Sequence, residues 1–138
     1  MDDLELQHLD WLKLDTQGCD WTVLQGLDQK RLDSVLCIEV EPGFEQFFED
    51  EETFFELTSK LTKCGFWLAA LNVQAFPRVR GDVVEAAFGQ RIKATDPAAG
   101  LFGGSPTAAE ALYFRSLDHL SIHADSVTRY AIAWVFAA

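Results

Sequence analysis

Four polar side chains close two apolar runs, where a strand would hand over to a helix or a loop. Asp15 and Gln17 follow Trp11 to Leu14, and Glu39 and Glu41 end Val35 to Val40. A carboxylate at the carboxyl end of a buried strand, just before a helix, lies where open α/β sheets bind ligands. Asp15 there can bind an ammonium or orient a hydroxyl. It can equally cap the helix that follows, since Asp is a favoured N-cap. Glu39 and Glu41 are two residues apart on a strand, so they share one face. Such a carboxylate can draw off a hydroxyl proton. The bland alternatives are a solvated strand end, or an ion pair with Lys13 across the sheet. Phe44, Phe47 and Phe48 either wall a pocket or pack as core aromatics under a loop. His119 and His123 are four apart, but Leu-Ser-Ile between them gives no zinc-protease motif, so an exposed or capping role is expected. The chain holds no P-loop and no Ser/His/Asp signature, and no metal site is expected.

The elements that must position these residues read as an α/β chain. Trp11 to Leu14 is a short apolar strand interrupted only by Lys13, and Gly18 permits a sharp turn because it has no Cβ to clash at positive φ. Trp21, Leu24 and Leu27 then recur at helical spacing, giving a helix from about Cys19 to Leu27. Asp28 to Asp33 is a charged return. Val35 to Val40 is continuously apolar at first, as in a parallel strand covered on both faces. Strand, helix and strand form a βαβ unit with a right-handed crossover. After Pro42-Gly43 comes a phenylalanine-rich acidic loop. A helix over Thr53 to Cys64 carries Phe54, Leu57 and Leu61 on one stripe, with Gly65 as its cap. Phe66 to Leu71 reads as a third strand and Ala111 to Phe114 as a fourth. Residues 73–109 hold three of the four prolines and read as a long insertion, with one short helix near Val83 to Phe88. Asp125 or Ser126 would cap a last helix carrying Val127, Tyr130 and Trp134.

Composition narrows the function classes. The chain has 138 residues, 49% of them hydrophobic, which suits one domain with a sizeable core. Its net charge of −11 argues against nucleic acid and against anionic membrane surfaces, both of which want a basic patch. The start lacks the basic and apolar segments of a signal peptide, and no apolar run approaches the ~20 residues needed to span a bilayer. Cys19, Cys37 and Cys64 match no zinc spacing and no disulfide framework. Reduced thiols in apolar surroundings of a cytoplasmic protein are expected.

The run Leu12-Lys-Leu-Asp-Thr-Gln-Gly18, followed by Val23-Leu-Gln-Gly26, resembles the signature of the FkbM-type methyltransferases. Val35-Leu-Cys-Ile-Glu-Val-Glu41, the phenylalanine-rich loop and the helix ending at Cys64-Gly65-Phe66 fit as well. The resemblance covers about residues 9 to 72, with a weaker stretch from Glu110 to Arg115. One position often held by Glu in that motif is Gln17 here. The resemblance implies the later half of a Rossmann-like class I methyltransferase sheet: two parallel strands, then a strand pair whose second member is antiparallel and inserts beside the second parallel strand. It implies S-adenosylmethionine as cofactor, with Asp15 and Gln17 near its methionine end and Asp15, Glu39 and Glu41 as the catalytic set. Methyl transfer to an alcohol is an in-line displacement from a sulfonium, so alignment matters most. The acceptor class implied is a hydroxyl on a sugar or a secondary metabolite. No glycine-rich cofactor loop precedes Asp15, so the chain reads as one incomplete methyltransferase domain spanning 1–138, inactive alone. The other reading is a non-catalytic α/β binding or interaction module derived from such an enzyme. Two further expectations follow. The insertion at 73–109, with Arg78, Arg80, Arg91 and Lys93 against Asp82, Glu85 and Asp96, would overhang the acceptor and tolerate an anionic one. The strand at Trp11 to Leu14 would be an open edge through which copies self-associate.

Overall fold

The computed structural model describes residues 8–76, 81–89, 104–120 and 124–137. Its elements run β1 (Trp11–Leu14), α1 (Asp20–Gln25), α2 (Gln29–Ser34), β2 (Cys37–Val40), α3 (Phe54–Lys63), β3 (Phe66–Phe76), α4 (Gly81–Phe88), β4 (Ser105–Arg115) and α5 (Ala124–Ala137), with a short 3₁₀ turn at Leu117–His119. The four strands form one mixed sheet in the order β1-β2-β4-β3. β1 and β2 are parallel, with Lys13 opposite Glu39 and Leu14 opposite Val40. β4 enters between β2 and β3 and is antiparallel to both. The expected α/β chain, with its inserted antiparallel strand, is therefore what the backbone forms.

Strand pleat sorts the side chains into two cores. On one face Leu14, Ile38, Val40, Ala111, Tyr113 and Phe66 meet the stripe Phe54, Leu57 and Leu61 of α3 and Leu24 of α1. On the other, Cys37 and Phe114 meet Ala133, Tyr130 and Ala137 of α5. Trp134 stacks on Phe114 with ring centroids 5.0 Å apart. Arg129 ties α5 to the chain just ahead of β1, donating from Nε to Asp10 at 2.6 Å. α3 begins on a reciprocal cap: Thr53 and Glu56 satisfy each other's backbone N–H groups. Its end turns at Gly65, with φ of 84°.

Several sequence expectations need correction. The charged return is a helix, α2, capped by the Asp28 side chain accepting from Arg31 N–H at 2.8 Å. Val35 and Leu36 are buried but precede the strand proper. β3 and β4 are each eleven residues long, so Val73–Phe76 and Ser105–Ala109 are strand. A helix stands where one was placed near Val83, at Gly81–Phe88. Val127 is exposed, and α5 buries Ala133 instead. Cys19 is exposed rather than in apolar surroundings. His119 is exposed and lies against Gly65, where a Cβ would come within 2.6 Å of its ring. His123 lies outside the described residues, as do Arg78, Arg80, Arg91, Lys93 and Asp96 of the basic stretch. Among the described residues no helix is long and apolar enough to cross a membrane.

One buried cation closes the lower end of the sheet. Arg115 is 3% exposed. Its Nε donates to Val35 O at 2.7 Å, and its other nitrogens reach Leu32 O and Cys64 O. The guanidinium also lies 4.3 Å from the Phe66 ring centroid. It thereby ties together carbonyls at and just past the ends of α2 and α3. Burial pulls the Arg115 guanidinium below its ordinary value, a shift opposed by the charge of Asp33.

Candidate functional site

The carboxyl ends of β1 and β2 lie side by side because their register is parallel. Past the last paired residues, Leu14 and Val40, come Asp15 and Glu41. Asp15 is exposed, and its Oδ1 accepts a hydrogen bond from the Gln17 amide at 2.9 Å. The chain then turns through two successive left-handed residues, Gln17 at φ 53° and Gly18 at 93°. Gln17 adopts this region without being glycine, a conformation that surrounding structure must enforce. The loop opposite comes close to Gly18: a Cβ there would sit 3.2 Å from Glu51 and 3.3 Å from Phe48.

Asp15 does not cap α1. The N-cap position is Cys19, with no side-chain bond. The turn is instead braced by Asp20, a buried residue whose Oδ1 accepts from the backbone N–H of Thr16 at 3.2 Å and from its hydroxyl at 2.5 Å. The carboxylate of Asp15 is thus left facing solvent, with Gln17 as its one described partner.

Glu39 and Glu41 meet through Lys13. The ammonium donates to Glu39 Oε1 at 2.7 Å and lies 3.4 Å from Glu41 Oε1. The hydrogen bond and charge of Glu39 hold the Lys13 ammonium above its ordinary value. The cross-sheet ion pair, one of the bland alternatives, is therefore realised. It does not consume the site, since two carboxylates share one ammonium. Glu39 also lines an open groove of about 350 Å³ on the α5 side of the sheet, together with Trp11, Asn72, Glu110, Leu112 and Ala137. Two of its lining residues are joined across the sheet: the Asn72 amide donates to Glu110 at 2.9 Å. The volume suits a small organic ligand. Beneath it Cys37 is fully buried, and desolvation, then the nearby Glu39 charge, pushes its thiol up to about 12. It is a packing residue, not a nucleophile.

The phenylalanines divide. Phe44 is half-buried against Phe54, centroids 5.1 Å apart. Phe47 and Phe48 are exposed. A gap between Gly18, Trp21, Pro42 and Glu51, lined by none of the three, holds only about 10 Å³, room for roughly one water and no acceptor.

Sequence reasoning missed Asp20, Glu51 and Arg115. Asp20 sits two residues past a turn glycine, and an acid there is a weak sign of turn bracing. Glu51 was lost among four consecutive acids. Among the described residues no cluster of three or more His, Cys, Asp or Glu is placed to hold a metal ion.

Residues 1–68 match the family model of the methyltransferase FkbM domain. The match runs from the first residue through β1, β2, the phenylalanine loop and α3 to Leu68. It takes in Lys13, Asp15, Gln17, Glu39 and Glu41, and it bears out the resemblance to the FkbM family read from the sequence. No curated protein and no solved structure matches the chain.

Proposed function

We propose that this chain, inactive alone, contributes to S-adenosylmethionine-dependent methylation of an oxygen, with Asp15 and Gln17 at the cofactor's methionine end and Glu39 and Glu41 toward the acceptor hydroxyl. The FkbM match over the residues that carry these groups is the observation that supports it most. The four-strand order, with an antiparallel strand between two parallel ones, agrees with a Rossmann-like methyltransferase half. The donor set fits part of the cofactor. An exposed carboxylate steadied by an amide can pair with an amino acid's ammonium. Among the described residues no glycine-rich turn follows a strand toward the open edge of β1, so nothing there fits the adenosine. When bound, the cofactor would supply an electrophilic methyl on sulfur. The chain's own residues then have three tasks. Asp15 orients the amino end. Glu39 and Glu41 accept a hydrogen bond from the acceptor hydroxyl and can hold its proton. Lys13 keeps the two carboxylates together and sets the angle between them. The groove beside Glu39 takes the acceptor's body, a sugar or a secondary metabolite. A cytoplasmic location goes with this reading, since the cysteine pattern calls for no oxidising compartment.

The Lys13 ion pair favours a second reading, a non-catalytic module that keeps the sheet for binding. Amide NMR separates the two. With S-adenosylmethionine added at millimolar concentration, the first reading expects shifts confined to Asp15–Gly18 and the end of β2. Asp15→Asn should abolish them while leaving the rest of the spectrum in place. Shifts elsewhere, or none, would defeat the methyltransferase reading.

A further inference from the structure

We propose that the surface formed by Phe47, Phe48 and Phe55 docks a basic, apolar segment of a partner protein. Three observations lead there. The first is exposure: these side chains are 53%, 49% and 67% exposed, three large aromatics on one short stretch. Phe55 joins the loop through Phe44, at 5.9 Å between ring centroids.

The second is rigidity. Glu51, itself buried, accepts the backbone N–H of Phe47 at 2.8 Å and of Phe48 at 3.0 Å through one carboxylate oxygen. The Gln46 amide returns to Glu51 O at 3.3 Å. The Phe47 ring lies on Gly43, where a Cβ would come within 2.8 Å of it, and Gly43 O accepts from Phe54 N–H at 2.7 Å. The backbone that carries Phe47 and Phe48 is therefore set before any partner arrives, which lowers the ordering cost of binding. None of the three lines the groove beside Glu39 or the gap at Gly18. Rigid aromatics on an open surface are the anchors of protein interfaces.

The third is charge. Residues 44–56 contain five phenylalanines, six acids and no Lys or Arg. Glu51, Glu52 and Glu56 serve the loop amides, Lys60 and Thr53 respectively. Glu49 and Asp50 stand exposed on the same loop as the rings. Nucleic acid and anionic lipid are repelled by such a rim. A segment that alternates Lys or Arg with apolar side chains complements both the rim and the rings.

The test is fluorescence anisotropy with two labelled synthetic peptides of equal charge, one of Lys and Leu, one of Lys and Ser. The Lys/Leu peptide should bind at least about tenfold more tightly. Phe47→Ala/Phe48→Ala, which leaves net charge unchanged, should remove that preference. Ile132→Ala/Val135→Ala, on the exposed side of α5, should not. Glu49→Gln/Asp50→Asn should weaken binding and flatten its salt dependence, an arm that stands even if the phenylalanine variant fails to fold by circular dichroism. Equal binding of both peptides, or full binding by the phenylalanine variant, overturns the proposal. So does a wild-type dimer in light scattering that the phenylalanine variant dissociates, because the occupant would then be a second copy.

Discussion

Lys13 decides how much of the Glu39–Glu41 pair is open to chemistry. That the two acids share a face was legible, because side chains alternate along a strand. Lys13 was legible as one candidate partner, beside a solvated strand end, but which of the two is realised was not. The Lys13 contact joins residues 26 apart in the chain, and it depends on the register of β1 against β2. A slip of one residue would turn Lys13 to the other face, and no local pattern states the register. The same geometry makes a prediction at Cys37. Its thiol ionises near 9 when unfolded and only at about 12 when folded. Stability from this group is therefore complete below pH 9 and lost as pH rises from 9 toward 12. Cys37→Ala should flatten the decline in stability across that window, read as the pH dependence of urea midpoints. An unchanged slope would count against it. Iodoacetamide should modify exposed Cys19 in the folded protein and spare Cys37, as peptide mass spectrometry can show.

Elements are held here by a few side chains that close loose backbone ends. Gly18 is one: its φ of 93° and its closeness to Glu51 leave no comfortable place for a methyl group. Gly18→Ala should destabilise by about 1–2 kcal/mol and loosen the Phe47–Phe48 loop with it, measured by denaturation and by amide exchange. Arg115 is another. Arg115→Met should cost roughly 3 kcal/mol or more, because three carbonyls lose a charged donor inside the protein. Arg115→Lys should recover little, since one ammonium cannot reproduce the guanidinium fork. A melting temperature within a degree or so of wild type for Arg115→Met would show that water replaces it. The long elements were readable where apolar spacing was strong. β1 and α3 stand where expected, with Phe54, Leu57 and Leu61 inward. α2 was missed because six residues with a single apolar side chain give no stripe, leaving only the Asp28 cap as a signal. The outer halves of β3 and β4 were missed because, Val73 and Phe76 apart, their side chains are small or polar, and their pairing is with each other.

At the scale of the molecule, β1 has a neighbour on one side only among the described residues. Its outer edge offers unpaired backbone groups to another chain. We expect copies to self-associate there, more strongly as salt rises, because a charge of −11 keeps them apart at low ionic strength. Light scattering across concentration and salt tests this; a monomer throughout would refute it. Phe47→Ala/Phe48→Ala should leave this association untouched. The strand order carries one more consequence, for the moment of synthesis. β4 is the last of the described strands to be made, yet it lies between β2 and β3, which do not pair with each other. Until Arg115 has left the ribosome the nascent chain can pair only β1 with β2, and β3 has nothing to join. At about 5–20 residues per second, that leaves seconds in which half a sheet is bare. A chain cut before Ser105 is stranded in that state for good. It should be found bound to chaperones or degraded rather than folded.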